Sequence, residues 1–344
     1  MLLPLNSNNF VTAQVHVLNC KIPEYISSSL AIGTGNNYLL IWKSFELFCS
    51  NNKLVPLPAS IDTISMYLIK KAEDNSSVAP ALSARSAIKH YHLLKFPHLP
   101  SPTDNVRIKM IINSIKRKFS KPVKKSQPLS KENLHKLLNY LIGKDLQSPH
   151  ILSSSLSNWR LAAKSVLKFC SFARFEEVIE LKLSNFSFLH SGDVTVNFTK
   201  GKNNQFHECR SVLISKSDSI YNPVNIFRLY FQKLNCDSDF PFLPTLKTLF
   251  TQSGTKCCVK TIPTKEPMSY NAALRNLRQA LSDIGLDSSI YGEHSDKSGG
   301  LSTAGDCDNI SLRDLQLHGR WKSNKPLFYI GNVVYLLKEK LLKQ

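Results

Sequence analysis

Five segments of this chain carry side chains that can grip or attack an anion. Arg174 lies in Cys170-Ser171-Phe172-Ala173-Arg174-Phe175-Glu176-Glu177, a guanidinium in the turn between two apolar helices. Lys200 follows in Phe198-Thr199-Lys200-Gly201-Lys202, at the expected tip of a hairpin. His294 and Lys297 share Tyr291-Gly292-Glu293-His294-Ser295-Asp296-Lys297-Ser298-Gly299-Gly300 with two carboxylates. His318 and Arg320 share Leu317-His318-Gly319-Arg320-Trp321-Lys322-Ser323, and Tyr329 stands in Pro326-Leu327-Phe328-Tyr329-Ile330. Arginine and histidine offer N–H donors to oxyanions, lysine can give up a proton, and a tyrosine hydroxyl is a nucleophile.

Taken singly, each has a plain structural reading. Arg174 reads as a helix-end arginine, Lys200 as a turn lysine with Lys202 competing for its place, and His294 as a loop histidine. His318 before Gly319 reads as a cationic cap on its helix, with Gly319 at the C′ position. Lys297 either meets a phosphate or pairs with Asp296. Tyr329 sits among Leu327, Phe328 and Ile330 as a core aromatic would, and Tyr335 is a rival nucleophile. Trp321 reads as packing that walls the site.

These residues need elements to hold them. Tyr38, Trp42, Phe45 and Cys49 recur as one apolar stripe on an amphipathic helix. Ile61, Ile64, Leu68 and Ile69 suggest a second helix, Ile88, Tyr91 and Leu94 a third, and Val106, Met110, Ile111 and Ile115 a fourth. Residues 25–118 thus form a helical bundle behind an N-terminal extension, 1–24. The segment Lys116–Pro128 bears two prolines and six basic residues without periodicity and reads as an extended linker, 119–129 at its core, lying against something negative. Residues 130–344 form the second domain. Ser130 caps a helix carrying Leu134, Leu137, Leu138 and Leu141. Helices follow from Asn158 to Cys170 and after Arg174, the latter burying Val178 and Leu181. The period then changes to two at Val194, Val196 and Phe198, and a return strand near Arg210–Ile214 makes a β-hairpin. Residues 240–266 read as irregular. Helices resume at Asn271–Ile284 and Ser311–Leu317, and an amphipathic one runs from Asn332 to Leu342. The fold class is mainly α with a small antiparallel hairpin or sheet.

The chain has 344 residues, 42% apolar and 20% charged, the composition of two folded domains. Its net charge is +19, which favours a polyanionic partner over a neutral metabolite. The first 125 residues hold 16 basic against 6 acidic residues, so the front third is the more strongly basic. No apolar run reaches a bilayer-spanning length and no signal peptide is read, so no membrane is expected. Eight cysteines include no Cys-x-x-Cys, which argues against structural zinc and a secreted disulfide framework and for a reducing intracellular compartment. No cofactor is expected.

The ordered set Arg174, Lys200, His294-x-x-Lys297, His318 and Tyr329 resembles the tyrosine recombinase (phage integrase) family, most closely its eukaryotic, retrotransposon-encoded branch. Pro267-Met268-Ser269-Tyr270 and Gly285-Leu286-Asp287 resemble that branch too, as does His318-Gly319-Arg320-Trp321-Lys322-Ser323. The resemblance covers nearly the whole chain. It implies an N-terminal DNA-binding bundle, an α+β catalytic domain, and site-specific cleavage and rejoining of double-stranded DNA without metal, as part of a mobile element. It also implies a homotetramer on DNA, a dimer per site, and in a eukaryote a nuclear location. By resemblance Tyr329 is the nucleophile, Arg174 and His294 grip the scissile phosphate, and Lys200 is the general acid. His318 bonds the phosphate or supports the tyrosine, and Glu177 is a structural neighbour. Lys116, Arg117, Lys118, Lys121, Lys124, Lys125, Lys202 and Arg320 are the expected DNA contacts.

One position departs from the family pattern. Lys297 stands where the family has a second arginine, keeping the charge but losing the planar fork. Loss of one such donor costs about 10²–10³ in rate. The alternatives are therefore a slow enzyme, one rescued by a basic residue such as Arg320, a catalytically impaired DNA-binding protein, or a related nicking-closing enzyme that relaxes supercoils.

Overall fold

The computed structural model describes residues 7–27, 29–122, 126–150, 152–199, 210–253, 256–307 and 309–321. Lys124, Lys125, Lys200, Lys202, Tyr329, Tyr335 and the expected helix Asn332–Leu342 lie outside them. The chain divides into two compact units between Val123 and Lys124.

The first unit is all helical: α1 (Ser7–Ser27), α2 (Ile32–Asn51), α3 (Ile61–Asn75), α4 (Val78–Lys95) and α5 (Val106–Phe119). α1 covers most of the segment read as an extension. Trp42, Phe45 and Cys49 of α2 pack with Ile64, Tyr67 and Leu68 of α3, Ala84 and Ile88 of α4, and Ile108, Ile112 and Ile115 of α5. Ser60 starts α3 by accepting the Thr63 N–H, and Asn105 starts α5 through the Arg107 N–H. The buried face of α5 is the expected one only in part: Ile115 is buried and Ile111 packs half-buried against the core, but Val106 and Met110 are exposed and Ile108 and Ile112 take their place, because α5 carries more apolar residues than one face can bury. Ile69 and Leu94 are exposed likewise. The basic segment also differs from expectation. Lys116, Arg117 and Lys118 form the last turn of α5 rather than an extended chain, where cations offset the helix C-terminus.

The second unit is built around α7 (Leu156–Ser171), which follows α6 (Lys131–Gln147). Ser130 and Ser155 cap these helices. Asp145 pins the turn between them, accepting from the Ser153 and Ser154 amides and from Trp159 Nε1 at 2.8 Å. α7 is buried on every side, Trp159, Ala162, Val166 and Leu167 together with Arg160, Lys164 and Lys168. A short α8 (Phe175–Val178) leads to a three-stranded antiparallel sheet of β1 (Phe186–Phe188), β2 (Val194–Phe198) and β3 (Arg210–Ile214), in that spatial order. Val196 pairs with Val212, and Val194, Val196 and Phe198 point into the core as their alternation predicts. α9 (Pro223–Leu234) packs on α7, with Asn222 at its N-cap and Pro223 at its first position.

Residues 240–266 are not irregular. β4 (Pro244–Ser253) and β5 (Lys256–Pro267) form a long antiparallel ribbon, paired only with each other among the described residues. Pro244 and Pro263 obscure the strand pattern in the sequence, but they sit near the base of the ribbon, where a β-bulge absorbs the irregularity. α10 (Tyr270–Asp283), capped by Ser269, α11 (Ser295–Gly305) and α12 (Leu312–His318) follow, the last elements among the described residues. α11 lies in the glycine-bearing stretch after His294. Gly299 and Gly300 let it approach closely, since a Cβ at either would strike the carbonyl oxygen of Leu129 or Phe169.

Candidate active site

Arg174 is held at the mouth of α8. Its backbone N–H donates to Glu177 Oε2 at 2.7 Å, and its Nη1 lies 3.3 Å from Glu177 Oε1. One carboxylate thus fixes both the backbone and the guanidinium. The same Glu177 lies 3.6 Å from Arg320 Nη2, so it bridges two arginines separated widely in sequence. Arg320 is further fixed by the carbonyls of Ser171 and His318 and lies over the Phe198 ring, 4.1 Å from its centroid. That contact ties the end of β2, next to the Lys200 segment, to the turn after α12.

Phe172 and Arg320 both adopt left-handed backbone, φ 51° and 58°. Such conformations cost of order 1–3 kcal/mol at ordinary residues and collect where geometry serves a site. Gly319, expected at a left-handed C′ position, has φ −74°. Glycine is needed there because a Cβ would collide with the Trp321 indole, and Arg320 carries the left-handed turn instead.

His294 is the N-cap of α11 and is open to solvent. Desolvation of its ring, then the charges of Lys168 and Lys297, hold its imidazole below the usual histidine range. Lys297, one turn into α11, projects over the Trp321 ring at 5.2 Å. Burial lowers its ammonium to about 8, helped by Arg174 and Arg320 and opposed by Glu177. Its pairing with Asp296 does not occur. Asp296 faces Lys168 instead, 3.5 Å away.

The two acidic residues beside His294 are withdrawn from the site. Glu293 is buried with Oε1 2.5 Å from Lys164 and Oε2 2.7 Å from Lys168, and Lys168 also donates to the Glu293 carbonyl. Against the cost of burial, these lysines hold the Glu293 carboxyl down to about 2. Burial pushes Asp296 up. The cluster anchors the start of α11, and so His294 and Lys297, onto α7. Sequence reading missed Lys164 and Lys168. Their signal was two lysines one turn apart in a helix rich in apolar residues.

His318 ends α12, but its ring turns to another segment: Nε2 donates to the Cys170 carbonyl at 2.6 Å, and the ring is set edge-on to Phe172. Burial holds its imidazole below the usual range, against the hydrogen bond to Cys170. Trp321 is buried in a small cluster with Phe172, Leu301 and Leu315, as the walling role requires. The structure therefore brings Arg174, His294, Lys297, His318 and Arg320 together from separate segments. Of the basic run, Lys116, Arg117, Lys118 and Lys121 belong to the first unit and are exposed, Lys118 pairing with Glu73. Among the described residues no cluster of His, Cys, Asp or Glu could hold a metal, and no helix is long and apolar enough to cross a membrane.

The sequence matches no protein-family model and no curated protein. The structure matches the XerH site-specific recombinase bound to palindromic difH substrate, with 14% identity and TM-score 0.55, over 89% of this chain and 78% of that one. It also matches a lambda integrase dimer bound to a COC′ core site, with 16% identity and TM-score 0.52, over 94% of this chain and 81% of that one. At these identities the likeness is one of fold, and by it this mainly helical chain with its small antiparallel sheet has the tyrosine recombinase fold.

Proposed function

We propose that this chain is a DNA strand-transferase that cleaves and rejoins duplex DNA through a 3′-phosphotyrosyl intermediate. The observation that carries the reading is the gathering of Arg174, Lys297 and Arg320 around a single carboxylate, Glu177, with His294 alongside. Three cations and His294 against Glu177 and the neighbouring Glu176 leave a positive excess, which a phosphodiester would neutralise. In this reading Tyr329 Oη attacks the scissile phosphorus, forming a phosphotyrosyl bond as the bond to the 5′-oxygen breaks. Lys200 delivers the proton to that oxygen, and Arg174, His294 and Lys297 stabilise charge on the non-bridging oxygens. The reverse attack by a 5′-hydroxyl rejoins the strand and frees the tyrosine. The finer expectations, a retrotransposon-type mobile element, a tetramer with a dimer per DNA site and a nuclear location, belong to the same proposal.

A second reading, a DNA-binding protein of impaired activity, is favoured by Lys297 and by the His318 Nε2, whose proton goes to a backbone carbonyl. A suicide-substrate assay separates the two. Nicked duplexes from the DNA flanking the coding sequence are offered to the wild type and to Tyr329→Phe. The enzyme reading expects a denaturation-resistant adduct that Tyr329→Phe loses while duplex binding is retained. Tight binding with no adduct from the wild type or from Lys297→Arg would leave the second reading.

A further inference from the structure

The β4–β5 ribbon has no part in the site described above, and its design is that of an arm. Its base is locked into the second unit. Buried Arg160 donates to the Pro244 carbonyl, Tyr230 to the Phe242 carbonyl, and the Met268 N–H to the Leu243 carbonyl. Beyond Leu246 the strands leave the core, and Lys247, Thr248, Leu249, Lys260 and Thr261 are all exposed. The paired stretch from Leu246 to Ser253 extends for roughly 25 Å at the usual rise of an antiparallel strand. A lone two-stranded ribbon is only marginally stable in water, so one of this length points to a surface that it lies against.

Charge says what kind of surface. Between Pro244 and Lys265 the sequence has Lys247, Lys256, Lys260 and Lys265 and no Asp or Glu. The register pairs Lys247 with Ile262 and Leu249 with Lys260, which sets Lys247 and Lys260 diagonally on one face. The opposite face at the same level carries Leu246, Thr248, Thr261 and Pro263, without charge. A ribbon of two strands also has the width that the major groove of a duplex admits.

We propose that the β4–β5 ribbon is a second DNA-contacting arm, which lays its lysine face on duplex DNA away from the candidate active site. The inference rests on the DNA reading proposed above. It is tested on the intact chain by fluorescence anisotropy with a labelled random-sequence duplex of about 30 base pairs, titrated across salt. Each phosphate contact contributes about 0.9 to the slope of log affinity against log salt. The double variant Lys247→Ala/Lys260→Ala is expected to lower that slope by about 2 and the affinity near 0.1 M salt by roughly 50-fold. The double Lys131→Ala/Lys136→Ala, exposed lysines of α6, removes the same charge and is expected to change the slope much less. Amide exchange across residues 244–267 is expected to slow when the duplex is added. An unchanged slope in the ribbon variant overturns the proposal, as do equal losses in the two doubles, which would make the effect one of net charge. Unchanged duplex binding with loss of self-association would give the ribbon to a second copy of the chain. A wild-type chain that binds no duplex at all removes the DNA reading itself, and this proposal with it.

Discussion

Lys297 offers the sharpest test of the site's electrostatics. Burial and the neighbouring Arg174 and Arg320 hold its ammonium at about 8. It is charged below that value and loses its charge as pH rises through it. At pH 7 roughly nine-tenths of the molecules carry the charge, and at pH 9 roughly one-tenth. An arginine stays charged throughout and also presents a fork to two phosphate oxygens. The rate ratio of Lys297→Arg to wild type is therefore expected to grow about tenfold from pH 7 to pH 9. That growth comes on top of any constant advantage, up to about 10²–10³, from the added donor geometry. The assay is single-turnover adduct formation on a nicked duplex at subsaturating DNA, because that regime reports ionisations of the free protein. Saturating DNA would bring a phosphate to the lysine and shift the alkaline limb upward, which is a second expectation of the same reasoning. Parallel profiles for the two proteins from pH 6 to 9.5 would refute it, showing that the charge on Lys297 takes no part in the rate.

The buried cluster beneath the site should be costly to break. Glu293→Gln leaves Lys164 and Lys168 with only Asp296, at a cost of about 3–5 kcal/mol, which lowers Tm in calorimetry by roughly 10 °C for a unit of this size. The wild-type carboxyl, held at about 2, lies below its unfolded value, so its contribution is complete above roughly pH 5 and is lost as pH falls through about 2. The variant should lack this component of acid sensitivity, and a variant as stable as wild type at pH 7 would count against the cluster as an anchor. Gly300→Ala should prevent native packing of α11, because the new methyl meets the Phe169 carbonyl. A folded variant with unaltered near-ultraviolet circular dichroism and Tm would show that α7 and α11 are not in such close contact.

Much of this molecule is written locally. Period-3.6 stripes such as Trp42-Phe45-Cys49 and Leu134-Leu137-Leu138-Leu141, the cap Ser130, and the alternation Val194-Val196-Phe198 depend on neighbours within a few residues, so they were legible before any fold was known. The ordered Arg, His, Lys and His residues were legible as types at spacings. What remained hidden depends on partners far away in the chain. Which face of α5 is buried was decided by the helices it packs against, since Val106 and Met110 are as apolar as the residues that went inside. The β4–β5 ribbon escaped because its prolines imitate a loop, and only cross-strand pairing overrides them. Along the chain Glu293 and Asp296 stand beside His294 and Lys297. The fold turns both toward Lys164 and Lys168, more than 120 residues earlier, because a buried carboxylate persists only with buried cations beside it. The sequence alone thus determined which chemistry was on offer and which elements would carry it. Tertiary structure decided which charges face each other, because desolvation and Coulomb attraction act on distance in space and not on separation along the chain.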